Sequence, residues 1–353
     1  MATVETKANI QRFSLRASAN SLSILGETFL GEKARLPKTK ARLLREIQSS
    51  LPQIVLNPSD SGYQAVAERF CDFLPRTYAS VAAFCMLSGK RYGDISPEAL
   101  DASRLFWQIG HKQDDIIDDP NRQNDGNTII HDIFADEGVG HRKTLALLYK
   151  KIESSSELSP EDKHYLRIKI KSWFDFIGEQ ESGIRNAQEE DFSLDFCKDY
   201  RESQNMMAGS VVSALLNWSD CTSEKGQRVE RILPKFSYMS QIIDDVGDIP
   251  EDLEANRPSF AVGALNEHPD EKALVTDTIM RSSLKKLSYD NLKRFAPESV
   301  QILDQLFEEY YQVASELGGK ETQMVLGIAK IAYVYYAKFR EVIYRLNPAW
   351  ATF

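Results

Sequence analysis

A cluster of aspartates in the first half of the chain has a spacing that suits metal binding. The stretch QDDIIDDPNRQ at 113–123 places Asp114, Asp115 and Asp118 in a DDxxD pattern directly after an apolar run. In a helix, positions i and i+4 share a face, where like charges repel, so an ordinary surface helix gains nothing from this spacing. Hard divalent cations with oxygen ligands would satisfy such carboxylates. Taken alone, the cluster is also typical of an acidic helix end before Pro120.

A second cluster repeats the same spacing later in the chain. The segment FSYMSQIIDDVGDIPED carries Asp244, Asp245 and Asp248, again after an apolar helical pattern. Two DDxxD elements, each at the end of an apolar helix, can face each other across a cavity. The pair therefore favours a metal centre with ligands on two walls over two unrelated acidic helix ends.

The segments that must position these aspartates are helical nearly throughout. Apolar residues recur at three- and four-residue intervals, and convincing period-two strands are missing. Pro, Ser and Asp stand between the periodic segments, where helices begin or end, in ISPEA, LSPED, NRPS, EHPDE and APES. We predict an all-α, single-domain bundle of ten or more helices at 61–353, with 1–60 as an N-terminal extension packed on it.

Composition narrows the function classes. The chain has 353 residues, of which 42% are hydrophobic, so a sizeable core is expected. Its net charge of −9 argues against a nucleic-acid partner, because phosphate backbones require a basic face. Four cysteines without a CxxC pair indicate reduced thiols, and no apolar run has transmembrane length. We expect a cytoplasmic protein without stable membrane insertion; the stretch LRASANSLS leaves a transit peptide as an alternative.

The two aspartate clusters resemble the two aspartate-rich motifs of the trans-isoprenyl diphosphate synthases and of their relatives, the class I terpene cyclases. The resemblance covers roughly residues 65–345. RTYASVAAFCMLSG and PEALDASRLFWQIGHKQDDIID run like the two helices that lead to the first motif of that family. NRPSFAVGAL follows the second motif, where the family places a basic residue and a small-residue turn. Arg201 stands about where the family carries a diphosphate-contacting Lys or Arg.

This resemblance implies a bundle around a deep central active-site cavity, with three Mg²⁺ ions at its mouth that bridge to a substrate diphosphate. Asp114 and Asp118 would hold ions on one wall, and Asp244 and Asp248 would hold one on the other. Mg²⁺ uses few carboxylates together with phosphate oxygens and waters, which suits this sparse ligand set. These four carboxylates and Arg201 form the catalytic set that the resemblance implies.

Further roles follow from the same resemblance. Asp115 and Asp245 would contact an ion directly or support its ligands. Arg201 and Arg257 would clamp the diphosphate with charge-assisted hydrogen bonds. A surface charge is the alternative for Arg201, and a simple turn residue is the alternative for Arg257.

A carbocation remains once the allylic C–O bond of a prenyl diphosphate ionises. It must be kept from water by an apolar pocket and stabilised by aromatic faces. Phe84, Trp107 and Met206 are candidates to line this pocket, and core packing is the alternative for each. Tyr336 lies in the last helical segment, which closes the pocket in the family.

A chain-elongating synthase also binds isopentenyl diphosphate through a basic GGKRxRP cluster. By position that cluster should fall near 70–76, where the chain reads FCDFLPRT and only Arg76 is basic. GEKARLPK at 31–38 lies too far upstream of the first motif, and GKRY at 89–92 lies too close. The missing basic site favours a cyclase, which needs only one diphosphate substrate.

The second motif departs from both families. Class I cyclases usually show (N/D)DxxSxxxE, and here Asp244, Asp248 and Asp252 keep the i, i+4, i+8 spacing with Asp in the Ser position. Gly247 and Pro250 are expected to interrupt the helix and to turn Asp252 away. QNMMAGS follows Arg201 in place of the usual arginine–linker–effector grouping. This mixed pattern resembles the non-canonical fungal sesquiterpene cyclases that make humulene-type rings.

The resemblance therefore implies a Mg²⁺-dependent terpene cyclase, a lyase that converts farnesyl diphosphate into a sesquiterpene hydrocarbon. A chain-elongating isoprenyl diphosphate synthase and a diterpene cyclase acting on a C20 diphosphate are the alternatives. A non-catalytic regulatory subunit would be expected to lose aspartates from one motif, and both motifs are intact. The expected partner is a prenyl diphosphate, and a homodimer stays open because relatives are often dimers.

Overall fold

The computed structural model describes most of the helical core of the chain. The described residues are 27–28, 30–31, 74–117, 140–186, 192–282, 287, 289–317 and 326. Among them, the backbone alone is described at 74–79, 108, 111–117, 140–144, 178, 180–186 and 282. The prediction of an N-terminal extension at 1–60 therefore falls almost entirely outside the described residues.

Ten α-helices follow one another in the described ranges, and no strand occurs there. They are α1 (Leu74–Ser88), α2 (Pro97–Ile117), α3 (Gly140–Ser154), α4 (Pro160–Asn186), α5 (Leu194–Asn217), α6 (Glu224–Glu254), α7 (Phe260–Asn266), α8 (Pro269–Ser282), α9 (Tyr289–Phe295) and α10 (Pro297–Leu317). Short 3-10 turns at Tyr92–Asp94 and Trp218–Asp220 connect neighbouring helices. The all-α class is confirmed.

Local signals explain where these helices begin. Four of them start at a proline, which has no N–H to lose and whose φ already suits the first helical position; these residues are Pro97, Pro160, Pro269 and Pro297. Serine caps three others: Ser193 accepts from the Phe196 N–H, Ser223 from Gly226 and Ser259 from Val262. The breaker segments of the sequence thus mark helix starts.

Helices α5 and α6 form an antiparallel pair at the centre of the bundle. Helix α5 contacts α1, α2, α4, α6 and α7, and α6 also contacts α10. Gly209 lies opposite Pro234, whose Cα and Cγ would be 3.1 Å from an added Cβ. Near the other end of the pair, the Asn217 side chain donates to the Gly226 carbonyl at 3.4 Å. The absence of a side chain at Gly209 lets the two backbones approach closely.

Two apolar clusters form the core, and α6 belongs to both. One cluster joins α1–α5 to the first half of α6, including Val229 and Leu233. The other joins the second half of α6, from Tyr238 onward, to α7–α10. Phe236 packs against both clusters. Helix α6 therefore connects the two clusters and carries the second aspartate motif.

Other expectations from composition can be compared with the described residues. Cys85, Cys197 and Cys221 are buried free thiols, as their spacing predicted. None of the helices in the described ranges is both long and apolar enough to cross a membrane.

Candidate active site

The first aspartate motif lies at the C-terminal end of α2. Asp114 and Asp115 belong to the last turn of this helix, which ends at Ile117. Their side chains, and the whole of Asp118, lie outside the described residues. Their role as metal ligands stays a prediction.

Aromatic side chains lie directly below this motif. Trp107 is half-buried, two helical turns before Asp114 on the same face of α2. Its indole N–H is buried without a hydrogen-bond partner among the described residues. Trp173 of α4 packs edge-on against Phe106 at 4.7 Å between ring centroids, and it lies 3.7 Å from a Cβ built at Gly110. Sequence patterns did not single out Trp173, because its approach to α2 is a tertiary contact.

The second motif lies within α6, and this corrects one expectation. Gly247 and Pro250 do not interrupt the helix, which continues to Glu254 and carries Asp252 with it. A proline inside a helix disturbs hydrogen bonds to the carbonyls of the preceding turn. Here the Gly247 carbonyl accepts a hydrogen bond from the Leu287 N–H at 3.1 Å. Pro250 removes the helical hydrogen bond to the Val246 carbonyl, and the bond from Leu287 reaches the carbonyl next to it.

The four aspartates of α6 differ in how deeply they are buried. Asp244 and Asp248 are one turn apart and both half-buried. Asp245 and Asp252 are two turns apart and almost fully buried, with 1% and 4% of their surfaces exposed. Positions separated by four or seven residues share a helix face. The sequence predicted that Asp252 turns away from the site. In the structure it lies in the interior, two turns from Asp245 on the same helix face.

Both oxygens of Asp245 are held by donors from three helices. Oδ1 accepts from Gln241 Nε2 at 2.7 Å and pairs with Arg201 Nη2 at 3.2 Å. Oδ2 accepts from the Phe260 backbone N–H at 2.7 Å. Burial raises the pKa of Asp245 to about 6, and Arg201 with the two other donors opposes that rise. The carboxylate is therefore charged at neutral pH and is held between α5, α6 and α7.

Arg201 is the cation of this site. Its side chain is 14% exposed, and Nη1 donates to Gln204 Oε1 at 3.1 Å. Burial alone would lower the pKa of the guanidinium, but the nearby carboxylates, led by Asp245, raise it above its ordinary value. Asp244 and Asp252 contribute to this electrostatic effect. The sequence placed Arg201 by resemblance alone; in the structure it is a buried cation among three aspartates.

Asp252 has an unusual environment for a carboxylate. Burial raises its pKa to about 7, while the positive charge of Arg201 and a hydrogen bond from Ser259 oppose that rise. Its Oδ2 is buried without a hydrogen-bond partner among the described residues. The carboxylate is therefore poised between its charged and neutral forms near neutral pH.

Arg257 lies in the turn between α6 and α7. Its backbone N–H donates to the Asp252 carbonyl at 2.8 Å, and its guanidinium is 3.6 Å from a Glu251 carboxylate oxygen. The side chain is one quarter exposed. This turn starts at the C-terminal end of the helix that carries Asp244 and Asp248, so Arg257 is anchored close to the second motif.

The four pocket candidates have different environments. Phe84 has no exposed surface and packs within the first core cluster, so its assignment to a pocket wall stays a prediction. Met206 is 49% exposed although α5 is central, so it does not pack as core, whereas Met207 does. Trp107 borders the first cluster and is half-buried. Tyr336 lies outside the described residues.

Sequence reasoning missed two residues in the surroundings of Arg201. Gln241 lies one turn before Asp245, so its i, i+4 spacing was a usable signal. Glu202, next to Arg201, accepts from the Tyr310 hydroxyl at 2.8 Å and connects α5 to α10. This second contact joins positions far apart in the chain, and local pattern contains no trace of it.

The described carboxylates can be compared with what a metal ion requires. In the part of the chain with described side chains, no three His, Cys, Asp or Glu residues come together as a metal site. Asp244 and Asp248 nevertheless provide hard oxygen donors one turn apart on a partly exposed side of α6. Mg²⁺ in phosphate-binding sites uses one or two carboxylates and substrate phosphate oxygens. The donor set on this wall thus fits Mg²⁺.

Comparison with known proteins identifies the fold. The sequence matches no protein-family model and no curated protein. Among solved structures, the chain is similar to the geranylgeranyl pyrophosphate synthetase from Pyrococcus horikoshii, with a TM-score of 0.56 and 12% identity. The match covers 88% of this chain and 98% of that one. The architecture is therefore that of the isoprenoid synthase helical bundle.

Proposed function

We propose that this protein is a Mg²⁺-dependent class I terpene cyclase that ionises farnesyl diphosphate and releases diphosphate and a sesquiterpene hydrocarbon. The proposal rests chiefly on one observation: the buried cation Arg201 of α5 lies beside the aspartates of α6 in an isoprenoid synthase bundle. The mixed pattern of the second motif favours a humulene-type product.

In this proposal, Asp114, Asp115 and Asp118 hold Mg²⁺ on the wall formed by α2. Asp244 and Asp248 hold an ion on the wall formed by α6. Three ions are expected, and their chemistry is to neutralise the charge that develops on the leaving diphosphate.

The arginines and the aromatic wall perform the other tasks. Arg201 and Arg257 donate charge-assisted hydrogen bonds to the diphosphate and orient its departure. When the allylic C–O bond breaks, its electron pair leaves with the diphosphate and a carbocation stays behind. Trp107, half-buried two turns before Asp114, presents an aromatic face to the carbocation in this proposal and excludes water there.

Chain elongation is the second candidate, because the similar solved structure is described as a geranylgeranyl pyrophosphate synthetase. The shortage of basic residues at 70–76 weighs against it, since a second diphosphate would have no docking site. A diterpene cyclase differs only in the C20 substrate.

One incubation series separates these functions. The full chain is incubated with Mg²⁺ and farnesyl or geranylgeranyl diphosphate, with and without isopentenyl diphosphate, and products are analysed by gas chromatography–mass spectrometry. A volatile C15 hydrocarbon formed without isopentenyl diphosphate is the expected result. Longer prenyl diphosphates that form only when isopentenyl diphosphate is present would establish the elongating activity instead. A C20 hydrocarbon would identify a diterpene cyclase.

A further inference from the structure

Asp245 connects three helices through a single carboxylate. Its side chain is 1% exposed, and its oxygens receive Arg201 Nη2 of α5, Gln241 Nε2 of α6 and the Phe260 N–H of α7. The neighbouring positions Asp244 and Asp248 are only half-buried. In a DDxxD motif with two partly exposed carboxylates, Asp245 is the one that faces the protein interior.

This arrangement holds Arg201 in one place. Asp245 binds Nη2 of the guanidinium, and Gln204 binds Nη1 from the same helix as Arg201. An arginine side chain has considerable rotamer freedom, which a charge-assisted contact on each side removes. Without Asp245, the cation would remain buried beside the second motif and would be held by Gln204 alone.

The same carboxylate also anchors the turn that carries Arg257. Phe260 is the first residue of α7, and its N–H is one of the donors that a helix leaves unpaired at its start. Asp245 accepts from this N–H, while Ser259 caps the N–H of Val262. The turn before α7 is thus fixed at its end by Asp245.

Helix α10 provides a second connection between the start of α7 and α5. The Phe260 ring lies 6.0 Å from that of Tyr310, whose hydroxyl donates to Glu202 at 2.8 Å. Glu202 precedes Gln204 on α5 and adjoins Arg201. The start of α7 and the Arg201 turn of α5 are therefore connected both through Asp245 and through α10.

We infer that Asp245 is a positioning residue rather than a metal ligand: it aims Arg201 and the Arg257 turn at the diphosphate that Asp244 and Asp248 bind through Mg²⁺. This inference rests on the proposed function, because it takes a diphosphate as the ligand of Arg201. It resolves whether the second aspartate of the motif contacts the ion or supports the groups around it.

The test compares Asp245→Asn with the matched variant Asp244→Asn in the full chain. Inorganic diphosphate binding in saturating Mg²⁺ is measured by calorimetry, and the Mg²⁺ concentration for half-maximal turnover is measured separately. Asp245→Asn should weaken diphosphate binding by roughly tenfold, as expected for one charge-assisted contact, and leave the Mg²⁺ requirement within about twofold. Asp244→Asn should raise the Mg²⁺ requirement by at least about tenfold. An equal rise in both variants would overturn the positioning role.

The Arg201→Gln background provides a second measurement. If Asp245 acts through Arg201, Asp245→Asn should add less than about twofold to the loss of diphosphate affinity in that background. Losses that multiply in full would contradict the inference. Gln241→Met, which removes one donor to Asp245 and no charge, should give a smaller loss of the same kind, and an unchanged affinity would count against it.

The failure of the proposed function can be told apart from the failure of this inference. A wild-type chain that binds no inorganic diphosphate in Mg²⁺ would refute both the diphosphate chemistry and the role of Asp245 in it. A wild-type chain that binds diphosphate, together with an Asp245→Asn variant that needs more Mg²⁺, would refute the positioning role alone. Circular dichroism of each variant establishes that the fold is retained.

Discussion

Asp252 lies two helical turns after Asp245 on one face of α6, and both carboxylates are buried near the single guanidinium of Arg201. Two buried carboxylates thus share one cation. Asp245 is in direct contact with Arg201, and Asp252 interacts with it electrostatically while one of its oxygens has no partner in the described ranges. An uncompensated buried charge is costly, so the charged form of Asp252 destabilises the folded state.

The pH dependence of stability should report on Asp252. Its folded-state pKa is raised to about 7, so its contribution to stability is present below the ordinary pKa and is lost as pH rises through 7. Asp252→Asn has no carboxylate to ionise there. Its free energy of unfolding should therefore exceed that of wild type at pH 8 by on the order of 2 kcal/mol, and by less at pH 5. Urea unfolding at both pH values measures this. The control Glu254→Gln removes an exposed carboxylate from the same helix and should not change the pH dependence.

Turnover should depend on the aspartates of both motifs. Asp114→Ala, Asp244→Ala and Asp248→Ala should each lower the rate of diphosphate release by roughly 10²-fold or more, because charge on the leaving group is no longer neutralised. Melting temperatures of the Asp244 and Asp248 variants should stay close to that of wild type, since both positions are partly exposed and lie outside the two core clusters. Glu254→Ala serves as a surface control with full activity. Normal turnover in both Asp114→Ala and Asp244→Ala would refute the metal assignment.

Two glycines of the central helix pair should respond in opposite directions to alanine. At Gly209 an added Cβ would be 3.1 Å from Pro234, so Gly209→Ala should separate α5 from α6 and cost about 1–3 kcal/mol. At Gly247 a Cβ would meet nothing within 4 Å, so Gly247→Ala should stabilise α6 by about 0.5–1 kcal/mol. Chemical denaturation of both variants tests the pair. A stabilised Gly209→Ala variant would show that α5 and α6 are farther apart than the 3.1 Å contact with Pro234 implies.

The part-buried Glu230 should matter more than an exposed ion-pair partner. Its carboxylate accepts from Lys169 and Ser210 at 2.5 Å and from the Tyr165 hydroxyl at 2.6 Å, joining α4, α5 and α6. Glu230→Gln should cost about 1–3 kcal/mol, because Lys169 loses its charge partner. Glu153→Gln breaks the exposed pair with Arg167 and should cost less than about 1 kcal/mol. Equal unfolding free energies for the two variants would contradict the difference in burial.

Much of the fold was predictable from local pattern. Pro97, Pro160, Pro269 and Pro297 begin helices as the breaker segments indicated, and the all-α class follows from apolar periodicity. The local rule failed at Gly247 and Pro250, where propensity alone predicts an interruption. The packing of α6 against its neighbouring helices overrides that propensity, and the sequence near Pro250 gives no sign of these contacts.

The sequence by itself determined the helices and the spacing of the aspartates, because caps, prolines and periodicity act within a turn or two of chain. Only the tertiary structure decided which aspartates are buried and which groups they contact. Asp244 and Asp245 are adjacent and chemically identical, yet one is half-buried and the other lies in the interior, held by Arg201 and Phe260. That difference depends on how α5 and α7 pack against α6, and packing depends on contacts between residues far apart in the chain.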